Sequence, residues 1–222
     1  MGPLRSALST AVTLFCVIGC AGLACSPGVV SLSPPGEGKQ LDYDDALLEW
    51  TRSHERYRNF KIQAVIHATY FSPSYIAAYI QEYQRIYEPV DVELEALRKR
   101  FDNRKTREEC FFVTVLTGDR NWNDLALSNS IWRVYVETDD GRKVKATSIS
   151  EVKKLDELHL HFYPHLDHYR DAYNICFPRF PSSRQGGSAG IPQGLIEPGL
   201  GSFHLIFRSP VGEAKLTWQT GS

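Results

Sequence analysis

The chain has 222 residues, 42% of them hydrophobic and 12% aromatic, which are ordinary proportions for a folded globular protein. Its 25 Lys and Arg residues against 26 Asp and Glu residues leave a formal net charge of −1 at pH 7. That balance produces no positive field to attract nucleic acid, so nucleic acid is excluded from the expected partners.

The first 19 residues have the layout of a secretory signal peptide, with Arg5 as a positive charge before the uncharged run Ala7–Gly19. As a helix, this run would measure about 20 Å and would fall short of the roughly 30 Å hydrocarbon core of a bilayer. An apolar stretch extended to Val30 would be long enough, although Pro27 and several glycines interrupt it. An uncleaved signal anchor is therefore the alternative interpretation.

The motif Val17–Cys20 (VIGC) stands directly after this run and resembles the lipobox of bacterial lipoproteins. The resemblance covers only the leader, and it implies cleavage before Cys20 and acylation of its thiol, with palmitate as a typical acyl group. Gly22–Cys25 (GLAC) is a second candidate, because cleavage there would leave no odd thiol in the tether. Acyl chains anchor a protein stably, since each buried methylene contributes about 0.8 kcal/mol. We therefore expect lipidation at Cys20, or alternatively at Cys25, and a membrane-anchored location in the bacterial cell envelope, facing the periplasm or the exterior.

The segment after the leader, Ser26–Lys39 (SPGVVSLSPPGEGK), is rich in Pro, Gly and Ser and has no helical or strand periodicity. Such a segment is expected to stay extended and mobile, so residues 20–40 are predicted to form a tether that holds the folded part off the bilayer. The remaining residues, 41–222, are enough for one domain with its own core.

Helix signals dominate the first part of this domain. Acidic residues at positions 42, 44 and 45 precede Ala46–Tyr57, which we predict to be a helix because the helix dipole favours acidic groups at its start. Ser72 and Pro73 form a typical helix start, and tyrosines and isoleucines then recur at steps of three and four residues as far as Tyr87. A helical pattern resumes over Asp91–Phe101, so the helical insertion is predicted to span about residues 72–105. Its tyrosine-rich face packs on a sheet or, alternatively, borders a ligand groove.

The rest of the domain has the pattern of short strands separated by turns. Phe111–Leu116 carries apolar residues on both faces, as a strand in the middle of a sandwich needs. Asp139–Gly141 supplies turn residues that tolerate positive φ, so Ile131–Val136 and Val144–Ile149 are predicted to form a hairpin. The other predicted strands are Phe60–Phe71, Leu158–Tyr163, Tyr173–Phe177, Phe203–Phe207 and Ala214–Gln219. These segments predict a mainly β fold, namely a β-sandwich of seven or eight strands with an N-terminal helix and a helical insertion between its first and second strands.

The order of the motifs FFVTVLTGDRNWNDL, SIWRVYVETDDGRKV, FYP, YNICFP, FHLIF and KLTW is similar to that of uncharacterised bacterial lipoproteins of immunoglobulin-like build. The resemblance spans about half of the chain and implies an immunoglobulin-like sandwich, but it implies no activity. No functional residue is therefore carried over from it.

The sharpest group of residues with possible ligand chemistry is a set of histidines. His159 and His161 would project from one face of the strand predicted around them, and this i, i+2 spacing lets two imidazoles share a metal. His165 and His168 follow in a turn, with Asp167 beside them. Such a set would suit zinc or copper in an exported protein. The alternative is the wet face of an ordinary strand, since no metal motif of fixed spacing such as HExxH occurs in the chain.

Of the five cysteines, only Cys110 and Cys176 lie in the predicted domain, each in a predicted strand. Export would allow a disulfide to persist between them, and the alternative is a pair of buried thiols. No Gly-x-Ser-x-Gly elbow occurs, so neither a cofactor nor an enzymatic activity is expected. Trp122, in the polar loop of residues 118–124, is a candidate contact for a partner protein or glycan, or a lid over the sandwich edge. The sequence thus predicts an envelope lipoprotein with a structural or partner-binding role, with an exported zinc- or copper-binding protein as the alternative.

Overall fold

The computed structural model describes residues 28–36, 41–181 and 193–220, and these residues form two five-stranded β-sheets. In spatial order, the first sheet contains β1 (Val29–Val30), β10 (Gly212–Thr220), β9 (Ser202–Ser209), β5 (Arg133–Thr138) and β6 (Lys143–Lys145). The second sheet contains β2 (Thr51–Arg58), β3 (Lys61–Tyr70), β4 (Glu108–Thr117), β8 (Asp171–Pro178) and β7 (Ser148–Glu151). Only the β1–β10 pair among these strands is parallel. The fold is therefore mainly β.

The helices lie around the second sheet. They are α1 (Tyr43–Trp50) before β2, α2 (Pro73–Tyr87) and α3 (Asp91–Lys105) between β3 and β4, and α4 (Glu157–Phe162) before β8. The predicted Ser-Pro start of α2 is confirmed, because the Ser72 hydroxyl accepts a hydrogen bond from the Tyr75 N–H at 3.0 Å. No helix within the described ranges has both the length and the apolar character that crossing a bilayer requires.

Aromatic side chains join the inner faces of the two sheets. Phe111 on β4 lies 5.5 Å from the ring of Trp218 on β10, and Tyr70 on β3 lies 5.2 Å from the ring of Phe203 on β9. Phe203 and Trp218 stack nearly parallel at 5.1 Å. All four rings are buried, so the sheets pack face to face over an aromatic core.

The central position of β4 agrees with the prediction from its two apolar faces. In the second sheet, β4 is hydrogen-bonded to β3 on one side and to β8 on the other. Phe111, Val113 and Val115 face the first sheet, whereas Phe112 faces outward and is covered by Tyr163, which follows α4. The outer face of β4 is thus where the helices and the sheet meet.

The predicted helix Ala46–Tyr57 is wrong beyond Trp50, because Thr51–Arg58 forms the edge strand β2. The helix ends where the carbonyl of the buried Trp50 accepts a hydrogen bond from the Trp218 indole at 3.0 Å. From there the chain pairs with β3, and Asn59 and Phe60 reverse its direction with φ of 50° and 61°. Pairing with a neighbouring strand has outweighed the local helix signal, which is the usual limit of propensity arguments.

The predicted strand Leu158–Tyr163 is also wrong, because Glu157–Phe162 is the helix α4. Asp156 caps this helix by accepting a hydrogen bond from the His159 N–H at 3.1 Å. A six-residue segment with alternating apolar residues fits one strand face or somewhat less than two helical turns, so its period alone does not distinguish the two.

The predicted hairpin of Ile131–Val136 with Val144–Ile149 is correct only in its first half. Gly141 has φ of 85° in the turn, as expected, and β6 pairs with β5. Then the chain changes sheets within two residues: the Ala146 N–H donates to Val134 in the first sheet, and the Thr147 N–H donates to Cys176 in the second. The single predicted strand is therefore two strands, one in each sheet.

The segment expected to be a mobile tether contributes to the fold. Val29 and Val30 pair in parallel with Gln219 and Thr220 at the end of β10. Val30 and Leu32 are buried in the core. Val30 and Leu32 are two residues apart, so their side chains lie on one face of an extended chain. The Pro, Gly and Ser residues around them obscured this strand pattern in the sequence. The leader with Cys20 and Cys25, and the Gly- and Ser-rich residues 182–192, lie outside the described residues.

Candidate functional site

A cleft of about 200 Å³ opens where α3, α4 and the aromatic face of α2 meet the outer face of the second sheet. Its inner walls are mainly aromatic. Phe112 stacks on Tyr163 with ring centroids 3.7 Å apart, and Tyr79 packs on Phe162 at 4.1 Å. Phe101 of α3 contacts Tyr79 edge-on at 5.5 Å. We call this space, with these five rings as its walls, the aromatic cleft.

A chain of tyrosine hydroxyls holds the wall behind the cleft. The hydroxyls of Tyr43 and Tyr75 are 3.0 Å apart, and the Tyr43 hydroxyl donates to the Phe162 carbonyl at 2.5 Å. Burial raises the pKa of Tyr43, Tyr75 and Tyr163 well above the usual value. These groups therefore stay neutral and serve as hydrogen-bonding partners that fix the end of α4 against α1 and α2.

Two arginines from α3 provide the positive charge of the aromatic cleft. Arg100 and Arg104 follow the buried Leu97 by three and seven residues and so lie on the same side of the helix. Among the described residues, neither guanidinium pairs with a carboxylate or makes a side-chain hydrogen bond. Arg100 lies over the Phe101 ring at 5.8 Å. The positive charge of Arg100 lowers the pKa of Tyr79, although burial outweighs it and raises that pKa to about 12.

Two further polar side chains border the aromatic cleft. Asn174 of β8 is the register partner of Phe112, so its amide lies beside the aromatic wall. The Nδ1 atom of His159 is 2.6 Å from the Asp156 carboxylate, which leaves Nε2 as the ring nitrogen that can serve a ligand. Hydrogen bonds from the ring and from the backbone N–H of His159 lower the pKa of Asp156. The cleft thus combines two positive charges with an amide and an imidazole that can exchange hydrogen bonds with a ligand.

The composition of the aromatic cleft suits the binding of a ligand. Of the described residues that line it, none is a Ser, Thr, Cys, Lys, Asp or Glu, and its ionisable groups are the Tyr79 and Tyr163 hydroxyls, the His159 imidazole and the two guanidinium groups. Apolar walls with a few convergent polar groups are typical of ligand sites. Two guanidinium groups beside aromatic rings are suited to a flat group that carries a negative charge.

The structure does not bring the four predicted metal-binding histidines together. His159 binds Asp156, whereas the Nε2 atom of His161 lies 2.9 Å from Glu82 of α2. His165 stacks on His67 of β3 with ring centroids 4.9 Å apart. His168 is exposed. Residues two positions apart share a face in a strand but not in a helix, so His159 and His161 of α4 do not share a face.

The surroundings of His165 oppose a cation. The Asp167 carboxylate accepts a hydrogen bond from Arg170, whose guanidinium also donates to the Nδ1 atom of His67 at 3.0 Å. Burial, together with His67 and the positive charge of Arg170, lowers the pKa of His165 to about 3, so its ring is neutral at physiological pH. Within the described residues its Nε2 atom is buried without a hydrogen-bonding partner. Two parallel rings cannot direct their nitrogen lone pairs at one ion.

Among the described residues, one group of three potential metal ligands lies close together, and it consists of Glu108, Cys110 and Cys176. Its two sulfurs form a disulfide, with Cα atoms 4.2 Å apart in directly paired positions of β4 and β8. A disulfide removes the thiolates that a metal would need. Binding of zinc or copper by this protein therefore stays a prediction without a geometric site in the described part of the chain.

Trp122 lies in a short 3₁₀ turn, Arg120–Trp122, and is half-buried. Its carbonyl accepts a hydrogen bond from the indole of the buried Trp132 at 2.7 Å. This arrangement ties the loop to the end of β5 and fits the lid interpretation better than a side chain presented to a partner. The role of Trp122 as a partner contact stays a prediction.

No protein-family model, no curated protein and no solved structure matches this chain. The geometry of the aromatic cleft and the sequence of the leader are therefore the observations that bear on function.

Proposed function

We propose that this protein is a lipid-anchored binding protein of the bacterial cell envelope whose domain holds a small aromatic carboxylate in the aromatic cleft. The observation that carries the proposal is the pair Arg100 and Arg104, which lack a carboxylate partner among the described residues while bordering aromatic walls. A carboxylate gains charge-assisted hydrogen bonds from guanidinium groups, and an aromatic body gains contact with Phe112 and Tyr79.

The size of the cleft supports a small ligand. Its volume of about 200 Å³ is below the roughly 300 Å³ at which pockets for drug-sized molecules begin. One aromatic ring with a short acidic arm fits this limit better than a sugar chain or an extended peptide. The partner expected from the sequence was a protein or glycan, and the cleft has room only for a small ligand, or for the end of such a partner, that carries these two groups.

Two observations support export and anchoring. The disulfide between Cys110 and Cys176 persists in oxidising compartments such as the periplasm, and it is rare in the cytosol. The motif Val17–Cys20 after an apolar run supports acylation at Cys20, with Cys25 as the alternative.

Titration calorimetry of the full chain in detergent tests the ligand. We expect 3-phenylpropionate to bind, and 3-phenylpropan-1-ol, which has the same ring without the charge, to bind about tenfold or more weakly. Arg104→Gln should weaken binding of the acid by about tenfold, because one charge-assisted hydrogen bond is lost. The matched control is Arg98→Gln, a residue of the same helix that borders the groove between α2 and α3 instead of the cleft. Equal affinity for acid and alcohol, or no heat at millimolar ligand, would contradict the proposal.

Labelling with palmitate tests the anchor. We expect the double variant Cys20→Ser/Cys25→Ser to lose the label and Cys16→Ser, inside the apolar run, to keep it. The single variants then identify which cysteine is acylated. Labelling that persists in the double variant would reject lipidation at either site.

We also propose the finer fold assignment, an immunoglobulin-like sandwich. Two sheets that are antiparallel except for the β1–β10 pair, packed face to face over buried aromatic residues, support it. The described residues contain ten strands where seven or eight were expected. Two strands, β1 and β2, were not predicted, one predicted strand is divided into β6 and β7, and the predicted strand Leu158–Tyr163 is instead the helix α4.

A further inference from the structure

The tip of the β2–β3 hairpin exposes a bulky aromatic side chain. Phe60 has a relative exposure of 105%, which is the largest among the described apolar side chains, and Tyr57 beside it is 56% exposed. The turn residues Asn59 and Phe60 have φ of 50° and 61°, both in the left-handed region. The hairpin therefore presents an unburied ring at its outermost point.

Neither packing nor backbone preference explains a phenylalanine at this position. Two-residue turns with positive φ favour Asn at the first position and Gly at the second, because a β-carbon is crowded in the left-handed conformation. Asn59 follows this rule and Phe60 breaks it. Phe60 is thus strained in its backbone and gains no stability from burial of its ring, which suggests that the ring contacts something outside the domain.

Positive charges flank the exposed ring. Arg58 and Lys61 are exposed and lie within two residues of Phe60, whereas the Arg56 guanidinium lies against Gly212 of β10. Glu55, which precedes this segment, accepts a hydrogen bond from the Tyr57 hydroxyl at 3.1 Å. The tip, Tyr57–Lys61, thus combines an exposed aromatic ring with two positive charges, Arg58 and Lys61, and contains no acidic residue.

We propose that the tip Tyr57–Lys61 contacts an anionic bilayer surface, with Phe60 inserted at the headgroup boundary. Cations are attracted to anionic phospholipids, and an aromatic ring is favourable at the interface. A protein partner is less suited to this surface, because a specific interface buries about 800 Å² on each side and one ring with its neighbour supplies much less. This inference rests on the membrane anchoring in the proposed function.

The point at which the described chain begins is compatible with this contact. The Gly28 carbonyl accepts a hydrogen bond from Arg52 at 3.4 Å, so the chain enters the domain beside β2. Arg52 and Arg58 are six residues apart on that strand (58 − 52), or about 20 Å. Cys20 precedes Gly28 by eight residues (28 − 20), which can span up to about 28 Å. An acyl chain on Cys20 and the tip can therefore reach the same bilayer.

Photo-crosslinking in membranes of a bacterial host that acylates lipoproteins tests the contact. The full chain carries p-benzoylphenylalanine in place of Phe60, and a matched chain carries it in place of Phe180, an exposed ring beyond the opposite end of the second sheet. We expect a phospholipid adduct with the first chain and none with the second. Adding Arg58→Glu and Lys61→Glu to the first chain should lower the adduct yield by about threefold or more.

The outcomes separate this inference from the anchoring. A protein adduct at position 60, or no adduct while the chain sediments with membranes, would overturn the tip contact and leave the lipid anchor intact. Equal lipid adducts at positions 60 and 180 would also overturn it. A chain found in the soluble fraction would overturn both the anchor and the tip contact.

Discussion

The ring of Tyr163 lies 3.7 Å from the ring of Phe112 and is tilted by only 13° from it. Phe112 projects outward from the central strand β4, and Tyr163 is the residue at which α4 ends. This contact fastens a six-residue helix to the sheet and forms the inner wall of the aromatic cleft. Because so short a helix is not stable by itself, its position depends on such packing.

Replacing Tyr163 with Ala should lower the free energy of unfolding by about 3–5 kcal/mol, because a buried aromatic ring is removed from a packed site. Tyr163→Phe keeps the ring and loses the hydroxyl near Tyr75, so it should cost only about 1 kcal/mol. Urea denaturation followed by tryptophan fluorescence measures both. Similar losses for the two variants would show that the hydroxyl, and not the stacking, holds α4.

Much of the β core could be predicted because its signal is local. Strands β3, β4, β8, β9 and β10 have long apolar alternation, and the structure confirms all five. The start of α2 at Ser72-Pro73 was also clear, since a capping side chain and a proline act on the adjacent turn. In these places the local pattern and the tertiary environment agree.

The errors arose where distant residues decide the structure. Thr51–Arg58 forms a strand because it pairs with β3, and nothing in the sequence of Thr51–Arg58 itself indicates that pairing. A ligand groove beside the tyrosine-rich face of α2 was one of the two expectations, but Arg100 and Arg104 were not predicted to border it. Their spacing of four residues, on the side of α3 that also carries Leu97, was the signal that could have placed them at the boundary of the core.

Removing the disulfide should destabilise the domain considerably. A bridge between Cys110 and Cys176 closes a loop of 66 residues, for which the chain-entropy relation gives about 4 kcal/mol. The double variant Cys110→Ala/Cys176→Ala should unfold at a correspondingly lower urea concentration. Addition of dithiothreitol should shift the wild-type curve toward that of the variant and leave the variant unchanged. A wild-type curve insensitive to full reduction would contradict the expected stabilisation.

Glu109 is the most deeply buried carboxylate of the described chain, with 3% relative exposure. It accepts a hydrogen bond from the Tyr70 hydroxyl at 2.7 Å and lies 3.0 Å from the Arg179 guanidinium. Burial raises the pKa of Glu109 to about 7, even though Tyr70 and Arg179 act in the opposite direction. The carboxyl therefore takes up a proton in the folded protein at a pH where the unfolded chain has released it.

This shift predicts a pH dependence with a definite sign. Between the unfolded pKa near 4.5 and the folded pKa of about 7, the folded state binds the extra proton, so stability from Glu109 is greatest at low pH and is lost as the pH rises toward 7. The wild-type free energy of unfolding, minus that of Glu109→Gln, should fall by roughly 3 kcal/mol over this range. Urea titrations at pH 4.5, 6 and 7.5 measure the difference, in which the contributions of the histidines cancel. A difference that rises with pH would show that Arg179 keeps Glu109 ionised throughout.

The strain at the hairpin tip predicts that losing Phe60 makes the domain more stable. Phe60→Gly should raise the free energy of unfolding by about 1 kcal/mol, because glycine adopts the left-handed conformation without crowding of a β-carbon. Phe60→Ala keeps the β-carbon and removes only an exposed ring, so its stability should stay close to that of the wild type. Asn59→Gly is a second control with a small expected effect, since Asn already tolerates positive φ. Thermal unfolding of all three variants separates the effect of backbone strain from that of packing. A loss of stability in both Phe60 variants would mean that the ring packs against the protein. The observation that favours a bilayer contact would then no longer hold.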